Sequence, residues 1–180
     1  FARPTLRGTV SGNFGSHART TAVFIIDDSY SMTVSNEQGE LLKQAKQAAR
    51  NINHLFTEGD EIFLLRLSAL AMTTTEHEVA TRDFGLLAKN IDEIGPSAIR
   101  RSLENGVRIA SKLLATTRNF NKEIYVFSDF QQGVMRDSDV ETQTKEKLFS
   151  PEVRFFFLPL NKRSIQNFGV ESVTIPSSIF

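Results

Sequence analysis

Cysteine is absent from the 180 residues. Disulfides, thiolate zinc sites and cysteine nucleophiles are therefore excluded, while the compartment stays open. An excess of charge of either sign is also lacking: 21 Lys and Arg balance 21 Asp and Glu. A neutral chain has no broad basic face, so neither nucleic acid nor an anionic membrane surface is expected as its main partner. No apolar run is long enough to span a bilayer, and no signal peptide is visible. The Gly-x-Ser-x-Gly elbow, the P-loop and the Gly-x-Gly-x-x-Gly turn are all missing. The three histidines, His17, His54 and His77, have no metal-ligand spacing and are expected on the surface.

What the chain does have is centred on Phe24-Ile25-Ile26-Asp27-Asp28-Ser29-Tyr30-Ser31-Met32. Nothing alternates between Val23 and Ile26, which predicts a strand buried on both faces. Such a strand, ending in Asp-x-Ser-x-Ser, pushes oxygen ligands out at its C-terminal edge, where open α/β sheets bind their ligands. Asp27, Ser29 and Ser31 are hard oxygen donors suited to Mg²⁺ or Mn²⁺. About a hundred residues later, Ile124-Tyr125-Val126-Phe127-Ser128-Asp129 repeats the pattern of a buried strand ending in a carboxylate.

The rest of the chain alternates strands and helices. Strands are expected over 20–26, 61–67, 123–130 and 153–160, the last rich in Phe and buried. A Thr-rich stretch, 72–81, is expected as a short antiparallel edge strand beside 61–67. The clearest helix is 41–56, with Leu41, Leu42, Ala45, Ala48, Ala49, Ile52, Leu55 and Phe56 inward and Lys43, Lys46, Gln47, Arg50 and Asn53 outward. Further helices are expected over 84–94 (Leu86, Leu87, Ile91 and Ile94 inward), 102–115 and 139–149. The expected fold is a three-layer α/β/α sandwich with a mostly parallel central sheet and one antiparallel edge strand.

Asp27-x-Ser29-x-Ser31, with Ser128-Asp129 at the end of a later strand, resembles the metal-ion-dependent adhesion site of von Willebrand factor A (VWA) domains. The resemblance covers roughly residues 20–160 and implies a Rossmann-like fold. It also implies a Mg²⁺ (or Mn²⁺) site in which Asp129 is the second acidic residue, and a protein partner whose Asp or Glu completes the metal's shell. The family's Thr ligand has no Thr here. Ser97, in the loop after Gly95-Pro96, is the preferred occupant of that position and Ser102 the alternative; the other reading has both capping helix ends and the position vacant. Asp27 could likewise serve only to cap its own loop, and Asp28 could face away from the metal and serve the loop alone. Tyr30, Met32, Phe130 and Gln131 flank the donors as a candidate rim for a partner, with packing beneath the site as the other role for Met32 and Phe130.

A narrower resemblance, carried by Ala2-Arg3-Pro4, Asp27–Met32 and Phe127-Ser128-Asp129-Phe130-Gln131, is to the membrane-anchored BatA-type proteins of bacterial aerotolerance operons. It implies an inner-membrane anchor through preceding helices and a domain on the periplasmic side. On this reading residues 1–19 are a linker after a membrane segment, 20–162 the VWA domain, and 163–180 a strand or linker toward a following domain. The helix that usually closes a VWA domain is not legible there. The expected function is a metal-dependent protein–protein interaction module rather than an enzyme. A metal-free structural scaffold and an Asp-based phosphoryl-transfer enzyme, with Asp27 as phosphoacceptor, are the alternatives.

Overall fold

The computed structural model describes residues 18–71, 78–99, 101–130 and 152–160. Its centre is β1 (Thr20–Ile26), buried from Thr21 onward, as the unbroken apolar run requires. Parallel strands flank it on both sides: β4 (Glu61–Arg66) on one and β5 (Asn121–Ser128) on the other, with β6 (Val153–Pro159) beyond β5. The sheet order is therefore β4-β1-β5-β6. Sequence order reverses at β1, so the loops leaving β1 and β5 open a crevice at the C-terminal edge.

Three helices cover the sheet: α1 (Leu41–Asn53) and α2 (Phe84–Asp92) on one face, α3 (Leu103–Thr116) on the other. The strand period of two sorts β1 between them. Phe24 and Ile26 join Leu41, Leu42, Ala45 and Ala49 of α1 and Leu87 and Ile91 of α2. Val23 and Ile25 join Leu103, Val107, Ala110 and Leu114 of α3. This is the expected three-layer arrangement. Phe24 packs edge-to-face against Phe56, Tyr125 and Phe127 at centroid distances of 6.0, 5.3 and 5.6 Å, a geometry that adds to simple area burial. Gly106 lets α3 approach closely: a Cβ there would stand 3.1 Å from Leu67 and 3.4 Å from Ile25. Asp83 and Ser102 cap α2 and α3 by accepting from the amides of Leu86 and Asn105.

Several local expectations need correction. The first helix stops at Asn53 rather than 56, so its periodicity no longer applies to Leu55, which is exposed, while Phe56 turns into the aromatic cluster. Asn53, expected outward, is buried because its side-chain amide donates to the Phe84 carbonyl at 2.9 Å and ties α1 to α2. Leu86 is exposed, and α2 buries only Leu87 and Ile91. The Phe-rich strand is an edge strand of the described sheet, which leaves Phe156 and Phe157 exposed rather than buried. The antiparallel edge expected over 72–81 needs no such correction: Thr81 pairs antiparallel with Ile62, and residues 72–77 lie outside the described set.

An unforeseen element is a small hairpin, β2 (Ser35–Asn36) with β3 (Gly39–Glu40), which turns through Gly39 at φ 104; that backbone region favours glycine. The expected helix at 139–149 and the strand or linker at 163–180 lie outside the described residues, as do His17, His77 and most of the linker. His54 is exposed on the surface as expected. Among the described residues no helix is long and apolar enough to cross a membrane.

Candidate metal centre

The site grows directly out of the strand register. Ile26 lies opposite Phe127, and the pairing runs one step further as Asp27 N–H donates to the Phe127 carbonyl at 3.0 Å. Asp27 and Ser128 are thus neighbours at the sheet's C-terminal edge. The Ser128 hydroxyl donates to Asp27 Oδ2 at 2.6 Å, and both residues are fully buried. The other carboxylate oxygen, Oδ1, accepts from the Ser29 amide at 3.0 Å and from the Ser29 hydroxyl at 2.6 Å. This is an Asx turn, so Asp27 does cap its own loop. It starts a 3-10 turn, Tyr30–Thr33, that swings Ser31 back toward Ser29.

Ser29 Oγ and Ser31 Oγ stand 3.0 Å apart. That spacing matches the roughly 3.0 Å between neighbouring ligands of an octahedral Mg²⁺ bound at about 2.1 Å. The donor set is two neutral hydroxyls beside a carboxylate, all hard oxygens, and its chemistry fits a small divalent cation. Asp129 follows directly on β5 and is largely buried at this end of the sheet. Among the described residues no group of three or more His, Cys, Asp or Glu side chains forms a ligand cluster. Hydroxyls rather than further carboxylates or imidazoles therefore carry the candidate donor set.

Ser97 lies against Ser29. The two form a parallel bridge, and the Ser97 amide donates to the Asp28 carbonyl at 2.7 Å. The Ser97 hydroxyl accepts from the Ile99 amide at 3.1 Å. Ser102 is buried, with its hydroxyl capping α3 through the Asn105 amide at 3.2 Å. Of the two serines considered for the Thr position, it is Ser97 that the fold brings beside Ser29.

Asp28 turns away from Asp27. Its carboxylate accepts from the Ser68 amide at 2.9 Å and from the Ser68 hydroxyl at 2.5 Å. Ser68 sits in the 3-10 turn Leu67–Ala71 that follows β4. Neither Ser68 nor the hydroxyl bridge from Ser128 was singled out in the sequence. Ser68 carries no motif of its own, whereas Ser128 could have been found from its place one residue before Asp129.

The rim divides. Tyr30 is 64% exposed beside the donors. Met32 is fully buried against the α1 side of the core, so it supports the site from below and is not rim. Phe130 is half-buried, edge-to-face with Phe157 at 5.8 Å, and holds φ at 52. A left-handed phenylalanine is rare and strained; its amide is held by the Ser128 hydroxyl at 3.1 Å. Gln131 lies outside the described residues.

Residues 22–132 match the von Willebrand factor type A domain family, more than half of the chain, and the chain belongs to that family. No curated protein matches it in sequence. Solved structures resemble it over part of its length. The three N-terminal domains of the type V pili tip protein Mfa5 from Porphyromonas gingivalis are 24% identical over 61% of this chain and 19% of that one, with a TM-score of 0.47. The protein BatB from Bacteroides thetaiotaomicron is 16% identical over 59% of this chain and 52% of that one, with a TM-score of 0.48. An aerotolerance-related membrane protein from Bacteroides fragilis is 17% identical over the same shares, 59% and 52%, again with a TM-score of 0.48. This chain thus spans about half the length of the two Bacteroides proteins and about a fifth of the Mfa5 structure. The family assignment rests on the match over residues 22–132.

Proposed function

We propose that this domain is a Mg²⁺-dependent protein–protein interaction module. In this reading Asp27, Ser29, Ser31, Ser97 and Asp129 hold the cation, and a partner's Asp or Glu completes its coordination. VWA domains are typically interaction modules rather than enzymes, which agrees with a binding role. One observation carries the reading. Asp27 and Asp28 are both buried at the sheet edge, and among the described residues their side-chain partners are neutral N–H and O–H groups. None of the ion pairs among the described residues involves either one. Uncompensated buried charge costs several kcal/mol per ion, and a divalent cation at the adjacent hydroxyls offsets it. Neutral hydroxyl ligands leave that cation net positive, which is what attracts an acidic partner.

On the same motif resemblance, the module belongs to a membrane-anchored bacterial protein of BatA type, held on the periplasmic side of the inner membrane. Ala2-Arg3-Pro4 and the two site motifs support this. Tyr30 and Phe130 then form the aromatic rim that the partner touches.

A second reading has its own observation. Asp27, Ser29, Ser31 and Ser128 already satisfy one another by hydrogen bonds, as a metal-free structural domain requires. Thermal melts in EDTA and in Mg²⁺ separate the two. A ligand at a hundredfold excess over Kd adds about 2.7 kcal/mol, or about 5–10 °C for a domain of this size. The metal reading expects that shift in the wild type and its loss in Asp27→Ala. It also expects capture of an acidic partner to fail in EDTA. Identical melts with and without millimolar Mg²⁺ would favour the scaffold.

A further inference from the structure

One carboxylate of the site motif is held away from the hydroxyl donors. Asp28 occupies the first variable position of Asp-x-Ser-x-Ser, yet it is only 1% exposed. Among the described residues Ser68 holds its side chain twice, through the backbone amide and through the hydroxyl. The same Asp28 accepts the Ser97 amide on its backbone carbonyl at 2.7 Å, beside the Ser29–Ser97 bridge. Three loops meet at this residue: the loop after β1, the 3-10 turn after β4, and the loop before α3.

We propose that the Asp28–Ser68 pair is a positioning latch for the metal centre. It rests on the metal reading above and deepens it by assigning two residues outside the donor set. Ser68 fixes the Asp28 side chain, and with it the peptide whose carbonyl holds Ser97 beside Ser29. Ser97 sits in a loop, and among the described residues it is anchored to the β1 loop through Asp28 and Ser29. Releasing the latch therefore lets Ser97 drift from Ser29 while Asp27, Ser29 and Ser31 keep their own bonds. The carboxylate contributes in a second way, as a fixed negative charge next to the cation that occupies no coordination position. Groups that orient ligands in this manner commonly change metal affinity by about 10–100-fold when removed.

Two variants of the full 180-residue chain separate the roles. Ser68→Ala removes the hydroxyl donor, and Ser68→Thr restores it. Two readouts are taken on each: Mg²⁺ affinity by calorimetry, and hydrogen exchange of the Ser97 amide in EDTA. Ser68→Ala is expected to bind Mg²⁺ about tenfold more weakly, with Ser68→Thr close to wild type. The Ser97 amide is expected to exchange faster in Ser68→Ala even without metal. A merely structural serine would lower the melting temperature and leave both readouts unmoved, which overturns the latch. If the wild type itself binds no Mg²⁺, the metal reading fails separately. The latch is then judged on Ser97 exchange alone, and unchanged protection overturns it. A third variant, Asp28→Asn, keeps the hydrogen-bonding shape without the charge; it is used should Ser68→Ala fail to fold, with weaker Mg²⁺ binding expected and unaltered binding overturning the latch.

Discussion

Ser128→Ala is the sharpest test of how the site is built. The Ser128 hydroxyl is fully buried and makes two bonds, donating to Asp27 Oδ2 at 2.6 Å and accepting from Phe130 N at 3.1 Å. Its loss leaves a buried carboxylate oxygen without its donor, and a hydrogen bond to a charged group contributes about 1.5–3 kcal/mol. It also frees the amide of a residue already strained at φ 52, adding on the order of 1 kcal/mol. The expected cost in EDTA is about 3 kcal/mol. With a urea dependence of about 2 kcal/mol per molar, the unfolding midpoint falls by about 1.5 M. Urea denaturation followed by far-ultraviolet circular dichroism measures it directly. If the metal reading holds, the deficit shrinks in saturating Mg²⁺, because a bound cation would take over part of the compensation of Asp27. A midpoint within about 0.25 M of wild type, or roughly 0.5 kcal/mol, would refute the reasoning. It would mean that the Asp27 carboxylate does not depend on this hydroxyl.

Two further outcomes follow from the core. Phe24→Ala removes the ring that meets Phe56, Tyr125 and Phe127; equilibrium unfolding should show a loss of about 3–5 kcal/mol, and a loss under 1 kcal/mol would contradict so tight a cluster. The Tyr125 hydroxyl is pushed well above its ordinary range, first by burial and then by its hydrogen bond to Glu123 and that residue's charge, with Arg154 opposing. The folded state then holds this proton more tightly than the unfolded chain, so stability is retained below the ordinary tyrosine pKa of about 10 and declines as pH rises beyond it. Between about pH 9 and about pH 11 the wild type should lose more stability than Tyr125→Phe, and parallel losses would exclude Tyr125 as the source.

The sequence by itself determined β1 and the order of the described strands and helices, because each rests on a local apolar pattern that any buried strand or amphipathic helix must obey. It also placed Asp27, Ser29, Ser31 and Asp129 at strand ends, since their motifs lie within a few residues of an apolar run. What happens between elements was not legible. Asn53 looked like an outward helix residue until α2 offered the Phe84 carbonyl. Met32 was left open between rim and packing until the 3-10 turn folded it beneath the donors. Ser68 had no signal at all, since it lies 40 residues from Asp28 and meets it only because β4 pairs with β1. The choice between Ser97 and Ser102 was likewise tertiary: one serine ended as a helix cap and the other beside Ser29. Local periodicity decides which residues are buried, but only the sheet's register brings loops distant in sequence to one edge, and there the candidate site is assembled.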